Sequence, residues 1–135
     1  MTVGEIKKEA LKLMFTNQDN EIDNADKVSN LENDDNYGDY LVNMYGCINR
    51  AIVRLKSKGV ETNQQRLTST TDDDEVLDIE EELCELIPYF IKGELYEEDN
   101  PQQASIARNY FEDTVDDYLA TKNQTDVEVV WRLDV

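Results

Sequence analysis

From Leu83 to Leu119 apolar residues recur at helical spacing twice, and one acidic turn with a proline behind it separates the two runs. Leu83, Leu86, Ile87, Phe90, Ile91 and Leu95 fall three and four apart, which places them on one helix face. Ala104, Ala107, Phe111, Val115 and Tyr118 repeat the pattern. Between the runs, Glu97-Glu98-Asp99-Asn100-Pro101 supplies a stop, an Asn cap and a proline suited to the first helical position, where its missing N–H is no loss. The spacing therefore predicts an αα-hairpin over about 77–121. Pro88 lies inside the first run, removes a backbone donor and should kink or restart that helix.

The remaining segments carry weaker versions of the same signals. Thr2 is placed to cap a first helix ending near Phe15, with Val3, Ile6, Ala10 and Leu13 on its apolar face. A second helix is expected from about Asn36 to Lys58, with Leu41, Met44, Tyr45, Ile48, Ile52 and Leu55 inward and Gly59 as its C-cap. Asn17 to Asn36, rich in Asn and Asp, reads as a long exposed polar loop. Val60 to Asp74 is polar and β-branched, and a short edge strand there is an open alternative to loop. Asp126 to Val135 alternates as Val-Glu-Val-Val-Trp-Arg-Leu and predicts a short C-terminal β-strand. The expected fold is thus mainly α: four helices in a single domain over 1–135, with a long polar early loop and a β tail. Its 135 residues suit one hydrophobic core rather than two.

Charge narrows the function classes. The net charge is −18, and two-thirds of the excess lies between Asp72 and Asp99, where thirteen acids face one base. Such a surface repels phosphate, which argues against sequence-specific nucleic-acid binding. Arg50, Arg54, Lys56 and Lys58 form the one basic cluster. Histidine is absent, which removes the commonest general base and metal ligand together. Cys47 and Cys84, each within an apolar helical pattern, read as buried free thiols more readily than as a disulfide. No run is long and apolar enough to span a bilayer, and the first residues are amphipathic where a signal peptide would be apolar. A soluble protein made in the cytoplasm, without a membrane partner, is the expectation.

Asp72, Asp73, Asp74 and Glu75 offer hard oxygens to a cation, but consecutive residues point different ways, and a solvated acidic loop is the simpler reading. Asp19-x-Glu21-x-Asp23 alternates yet has Asn24 and Asn30 where a calcium loop needs Gly and Glu. Glu80, Glu81, Glu82 and Glu85 sit where carboxylates favour the positive end of a helix. Tyr89, Tyr96, Tyr110 and Tyr118 read as core-edge residues with their hydroxyls in water. No phosphate loop, Cys/His cluster or nucleophile elbow occurs, so no catalytic, cofactor or metal residue is assigned.

The order Ile-Pro-Tyr-Phe-Ile-Lys-Gly-Glu-Leu-Tyr, then Glu-Glu-Asp, then Ala-x-x-Ala-Arg-x-x-Phe-Glu resembles small tailed-bacteriophage proteins of the head–tail connector (neck, or head-completion adaptor) type. Val3-Gly4-Glu5-Ile6 through Leu13 is similar to their opening helix, and Asp39-Tyr40-Leu41 through Asn49-Arg50-Ala51 to their second. The resemblance implies a structural virion protein of the neck, not an enzyme. It would assemble as a homo-oligomeric ring between portal and tail, beside other neck or tail proteins, with DNA passing through its channel. Asp72, Asp73, Asp74 and Glu75 would then be a channel-facing acidic segment that lets the duplex pass without sticking.

The terminal strand has two placements. It either folds back with Trp131 buried, or projects and adds to a neighbouring subunit, making Val129, Val130, Trp131, Arg132 and Leu133 an interface. Ring assembly favours the second. A rival from another class is an acidic inhibitor that mimics DNA, but that would spread carboxylates over most of the surface, whereas residues 1–58 carry ten acids against eight bases.

Overall fold

Thr2 opens the first helix through the reciprocal bonds its sequence predicts. In the computed structural model, which describes residues 1–15, 22, 31 and 37–133 with side chains through 122, helix α1 spans Val3–Met14. Thr2 Oγ1 accepts from the Glu5 N–H at 3.1 Å while the Glu5 carboxylate accepts from the Thr2 N–H at 3.3 Å. This capping box satisfies donors that the first turn leaves unpaired. Val3, Ile6 and Ala10 are buried as expected, joined by Leu11 and Met14. Leu13, placed on that face by spacing, is only half-buried. Helix α2 spans Gly38–Ser57 and buries all six of its expected inward residues. It ends where Gly59 takes φ +103°, so that Gly59 N–H donates to Lys56 O and Val60 N–H to Leu55 O. Only a residue without Cβ enters that left-handed region cheaply.

The predicted restart at Pro88 is present. A single turn, α3 (Glu81–Cys84), stops, and α4 (Ile87–Leu95) begins with Pro88 in its first turn. Helix α5 spans Pro101–Leu133 and starts at the proline the acidic turn delivers. α4 is the central element: it packs against α1, α2 and α5. Phe90 and Phe111 meet edge to face at 5.1 Å across the hairpin. Leu83, Ile87, Ile91, Phe111 and Val115 join Ile6, Leu41, Met44, Ile48 and Leu55 in one hydrophobic core. No helix of the described residues is long and apolar enough to cross a membrane.

An aromatic cluster closes the far end of α1. Phe15 stands edge-on to Tyr37 and to Tyr40, and Tyr40 to Tyr96, at ring separations of 5.0, 5.4 and 6.5 Å. The Tyr96 hydroxyl, expected in water, instead donates to Met14 O at 2.7 Å. It thereby satisfies one of the carbonyls that the end of a helix leaves open.

Of the two readings open for Val60 to Asp74 the chain takes the loop, and just beyond it makes one isolated antiparallel bridge, Thr2 to Val76. One local expectation is corrected. The C-terminal strand is replaced by helix: the backbone of Val129, Val130, Trp131, Arg132 and Leu133 continues α5. A lone strand needs a neighbour for its N–H and C=O groups, whereas a helix pairs them within itself. The side chains of those five residues lie outside the described part. So do the Asn17–Asn36 loop and its Asp19-x-Glu21-x-Asp23 alternation, apart from Ile22, which is buried, and Leu31.

Candidate functional site

The acidic run is folded against the start of α1. Val3 N–H donates to Glu75 O and Gly4 N–H to Asp73 O, both at 2.8 Å, and Leu77 N–H donates to Met1 O at 3.1 Å. The first orphan donors of α1 are thus taken by the carbonyls of the acidic segment, with carboxylates gathered where the helix dipole favours them. An Asx turn shapes the run itself, with Asp74 N–H donating to Asp72 Oδ1 at 2.9 Å and Glu75 N–H to Asp72 O at 3.1 Å.

Gly4 makes this approach possible. A Cβ there would lie 2.9 Å from Asp73 Cβ and 3.1 Å from Asp73 O. Alanine is the better helix former, yet Gly4→Ala is expected to destabilise the fold by about 1–2 kcal/mol, because the loop must move off the helix. Urea unfolding measures this, and a gain in stability would show that the contact yields freely.

One residue of the run is anchored through its side chain. Lys7 is wholly buried, and its ammonium donates to Asp73 Oδ1 at 2.9 Å and to the Tyr45 hydroxyl at 3.0 Å, with Nζ 4.5 Å from the Tyr45 ring centroid. Burial alone would lower the Lys7 pKa, but the Tyr45 and Asp73 hydrogen bonds more than offset it and hold the ammonium above its ordinary range. A lysine so held is a charge and not a nucleophile. Sequence spacing missed it, since Lys7 reads as one more exposed base beside Lys8. Asp73 is accordingly no free carboxylate, while Asp72, Asp74 and Glu75 are exposed.

The preceding loop is pinned by side chains acting as backbone. Asn49 Nδ2 donates to Leu67 O at 2.9 Å and Leu67 N–H donates to Asn49 Oδ1 at 2.8 Å, with the Leu67 side chain buried in the core. Asp78 Oδ2 accepts from Asn63 N–H, and Gln64 Oε1 accepts from Asp78 N–H, both at 2.9 Å. Asn49→Ala strands both Leu67 backbone groups and is expected to cost about 1–3 kcal/mol in a denaturant titration. A cost near zero would mean that water replaces Asn49 without loss.

Three of the four bases of the α2 cluster are paired within the fold, and Lys56 is exposed. Arg54 forks onto Glu112 at 2.8 and 3.1 Å, Lys58 reaches Glu112 and Asp116 at 2.6 Å each, and Arg50 meets Glu94 at 2.8 Å. The Arg54 hydrogen bond, reinforced by Lys58, holds the Glu112 carboxyl below the usual range. Glu80, expected to serve the helix start, instead accepts from Lys122 and Tyr118 of α5, and those contacts, the Lys122 bond foremost, lower its pKa. Cys47 and Cys84 are free and buried, and burial pushes each thiol up to about 11. Among the described residues no three His, Cys, Asp or Glu side chains converge as a metal set.

A groove of about 420 Å³ lies between α1 and the α3–α4 junction. Pro88 is buried at its base, with Leu13 and Tyr89 half-buried beside it. Glu5 and Glu9 of α1 and Glu81 and Glu85 opposite are exposed along its edges, and Lys8 is the lining cation. Tyr89 leads out of the groove onto α5, where its ring meets Tyr110 at 4.4 Å.

The fold thus brings Asp72, Asp73, Asp74 and Glu75 to the start of α1, anchors Asp73 and leaves the others outward. Comparison with family models, curated proteins and solved structures finds no match for this chain.

Proposed function

We propose that this chain is a structural subunit of the head–tail connector type, a virion protein that joins a ring between portal and tail and carries an acidic surface along the DNA path. The observation that carries the reading is the presentation of the acidic run. Asp73 is tied down to Lys7, which also donates to Tyr45, and that anchor fixes the backbone from which Asp72, Asp74 and Glu75 project. Arg54 and Lys58 of the basic cluster pair with Glu112 on α5 and Arg50 with Glu94 on α4, which leaves the exposed Lys56 as its one base outside an ion pair, too little positive charge to hold a duplex. A role without catalysis agrees with the chemistry present: the buried lysine is held charged and the buried thiols are held protonated. The helical hairpin resembling connector proteins supplies the scaffold.

The test is the protein's place in a particle. Its gene is expected among portal, capsid and tail genes, and the protein itself among the components of purified virions. Another gene neighbourhood, or absence from purified virions, would overturn the reading.

A further inference from the structure

We infer that the groove beside α1, together with the Tyr89–Tyr110–Ile106 strip that continues it, is the docking surface for an amphipathic segment of a different polypeptide, one with an apolar stripe edged by Lys or Arg. Ile106 is 57% exposed and Tyr110 47% exposed, and they sit four apart on the outward side of α5. Tyr110 meets Tyr89 ring to ring at a tilt of 44°, and Tyr89 also lines the groove, so the two features form one apolar surface and not scattered single residues. The buried base at Pro88 and the half-buried Leu13 and Tyr89 give an apolar side chain somewhere to insert.

Charge selects the occupant. On the α1 edge Glu5 caps its helix, Glu9 pairs with Lys12 and Lys8 lies beside them, whereas on the opposite edge, among the described residues, neither Glu81 nor Glu85 has a side-chain hydrogen bond or ion pair. Cations along the edge of an incoming apolar stripe would meet Glu81 and Glu85. A second copy of this chain is poorly suited to supply those cations. Lys7, Arg50, Arg54, Lys58, Arg108 and Lys122 each already sit in an ion pair. The described bases outside one include Lys56 on α2, Arg66 in the polar loop and Lys92 on α4, which are spread over three segments and not lined up beside one apolar stripe, and two chains of charge −18 repel. The inference uses the groove and strip alone and does not rest on the connector reading.

The experiment is fluorescence anisotropy with the full-length chain and a labelled synthetic peptide carrying a leucine stripe edged by lysines. Its controls are the same peptide with glutamates for lysines and a version that keeps the lysines but replaces the leucines with glutamines. Only the first peptide is expected to bind well. Glu81→Lys with Glu85→Lys should weaken it about tenfold, and Ile106→Asp should do the same without touching the groove charges. Glu98→Lys with Asp99→Lys, the same charge change in the exposed turn before α5, should shift it less than about twofold. Circular dichroism checks that each variant folds, and Ile106→Asp, at an exposed helix position, keeps the site testable if the groove variant does not. Equal weakening by the Glu98 and Asp99 reversal, equal binding of the leucine-free peptide, or no binding of the first peptide would overturn the assignment. So would sedimentation showing tight self-association that Ile106→Asp abolishes, since the strip would then join copies of this chain.

Discussion

Asp73→Ala is expected to destabilise the protein by about 3–5 kcal/mol, the cost of leaving an ammonium buried without its carboxylate. Lys7 is wholly buried, whereas the Asp73 side chain keeps 12% of its surface exposed. That asymmetry sets the order of the variants. Lys7→Met leaves a carboxylate that can turn toward water, so it should cost less, about 1–3 kcal/mol. The double variant Lys7→Met with Asp73→Ala should be clearly more stable than Asp73→Ala alone, because replacing both members of a buried pair removes the uncompensated charge. Denaturant titration of the four proteins checks this, and strictly additive costs would show that the pair is not coupled.

The same pair carries a pH dependence of defined sign. Lys7 has a folded pKa above its unfolded value. Its contribution is therefore fully present below the ordinary lysine value of about 10.4 and is lost as pH rises through the raised folded value. The stability gap between the wild type and Lys7→Met should accordingly shrink only on the alkaline side of that value. A gap that closed near neutral pH would mean that Lys7 is not held as an ammonium.

Phe111→Ala is the second large effect, also expected at about 3–5 kcal/mol. Phe111 is wholly buried and stands edge-on to Phe90, so its loss opens a cavity where α5 meets the central helix. The neighbouring small residues Ala104 and Ala107 cannot fill that space. Thermal and urea unfolding should both report the loss with helical content kept at low temperature. A cost near 1 kcal/mol would mean that α4 and α5 collapse around the gap. If the hairpin is scaffold and the acidic approach is the working surface, Phe111→Ala should lower stability without changing how Asp72, Asp74 and Glu75 are presented.

The helices were legible because their determinants are local. Thr2 and Glu5 are three residues apart, Pro88 and Pro101 act on their own turns, Gly59 acts through its own φ, and the three-and-four spacing of Leu83 to Tyr118 sorts each face within a few turns. Where local pattern competed with tertiary demand it misled. Asp126 to Val135 alternates as a strand would, but the backbone through Leu133 is helical, where each peptide group finds its partner without a neighbouring strand. Leu13 fits the stripe of α1, yet Leu11 and Met14 fill the core in its place because the packing of α4 selects the buried face.

By itself, the sequence determined that this chain is mainly helical, that a hairpin follows an acidic approach, and that the excess charge sits between Asp72 and Asp99. Only the tertiary structure decided which charges are free to act. Lys7 meets Tyr45 and Asp73 across 38 and 66 residues, and Arg54 meets Glu112 across 58. No periodicity encodes such separations: an ion pair forms where packed helices happen to bring two side chains within hydrogen-bond reach, and burial then decides whether the charge anchors the fold or faces outward.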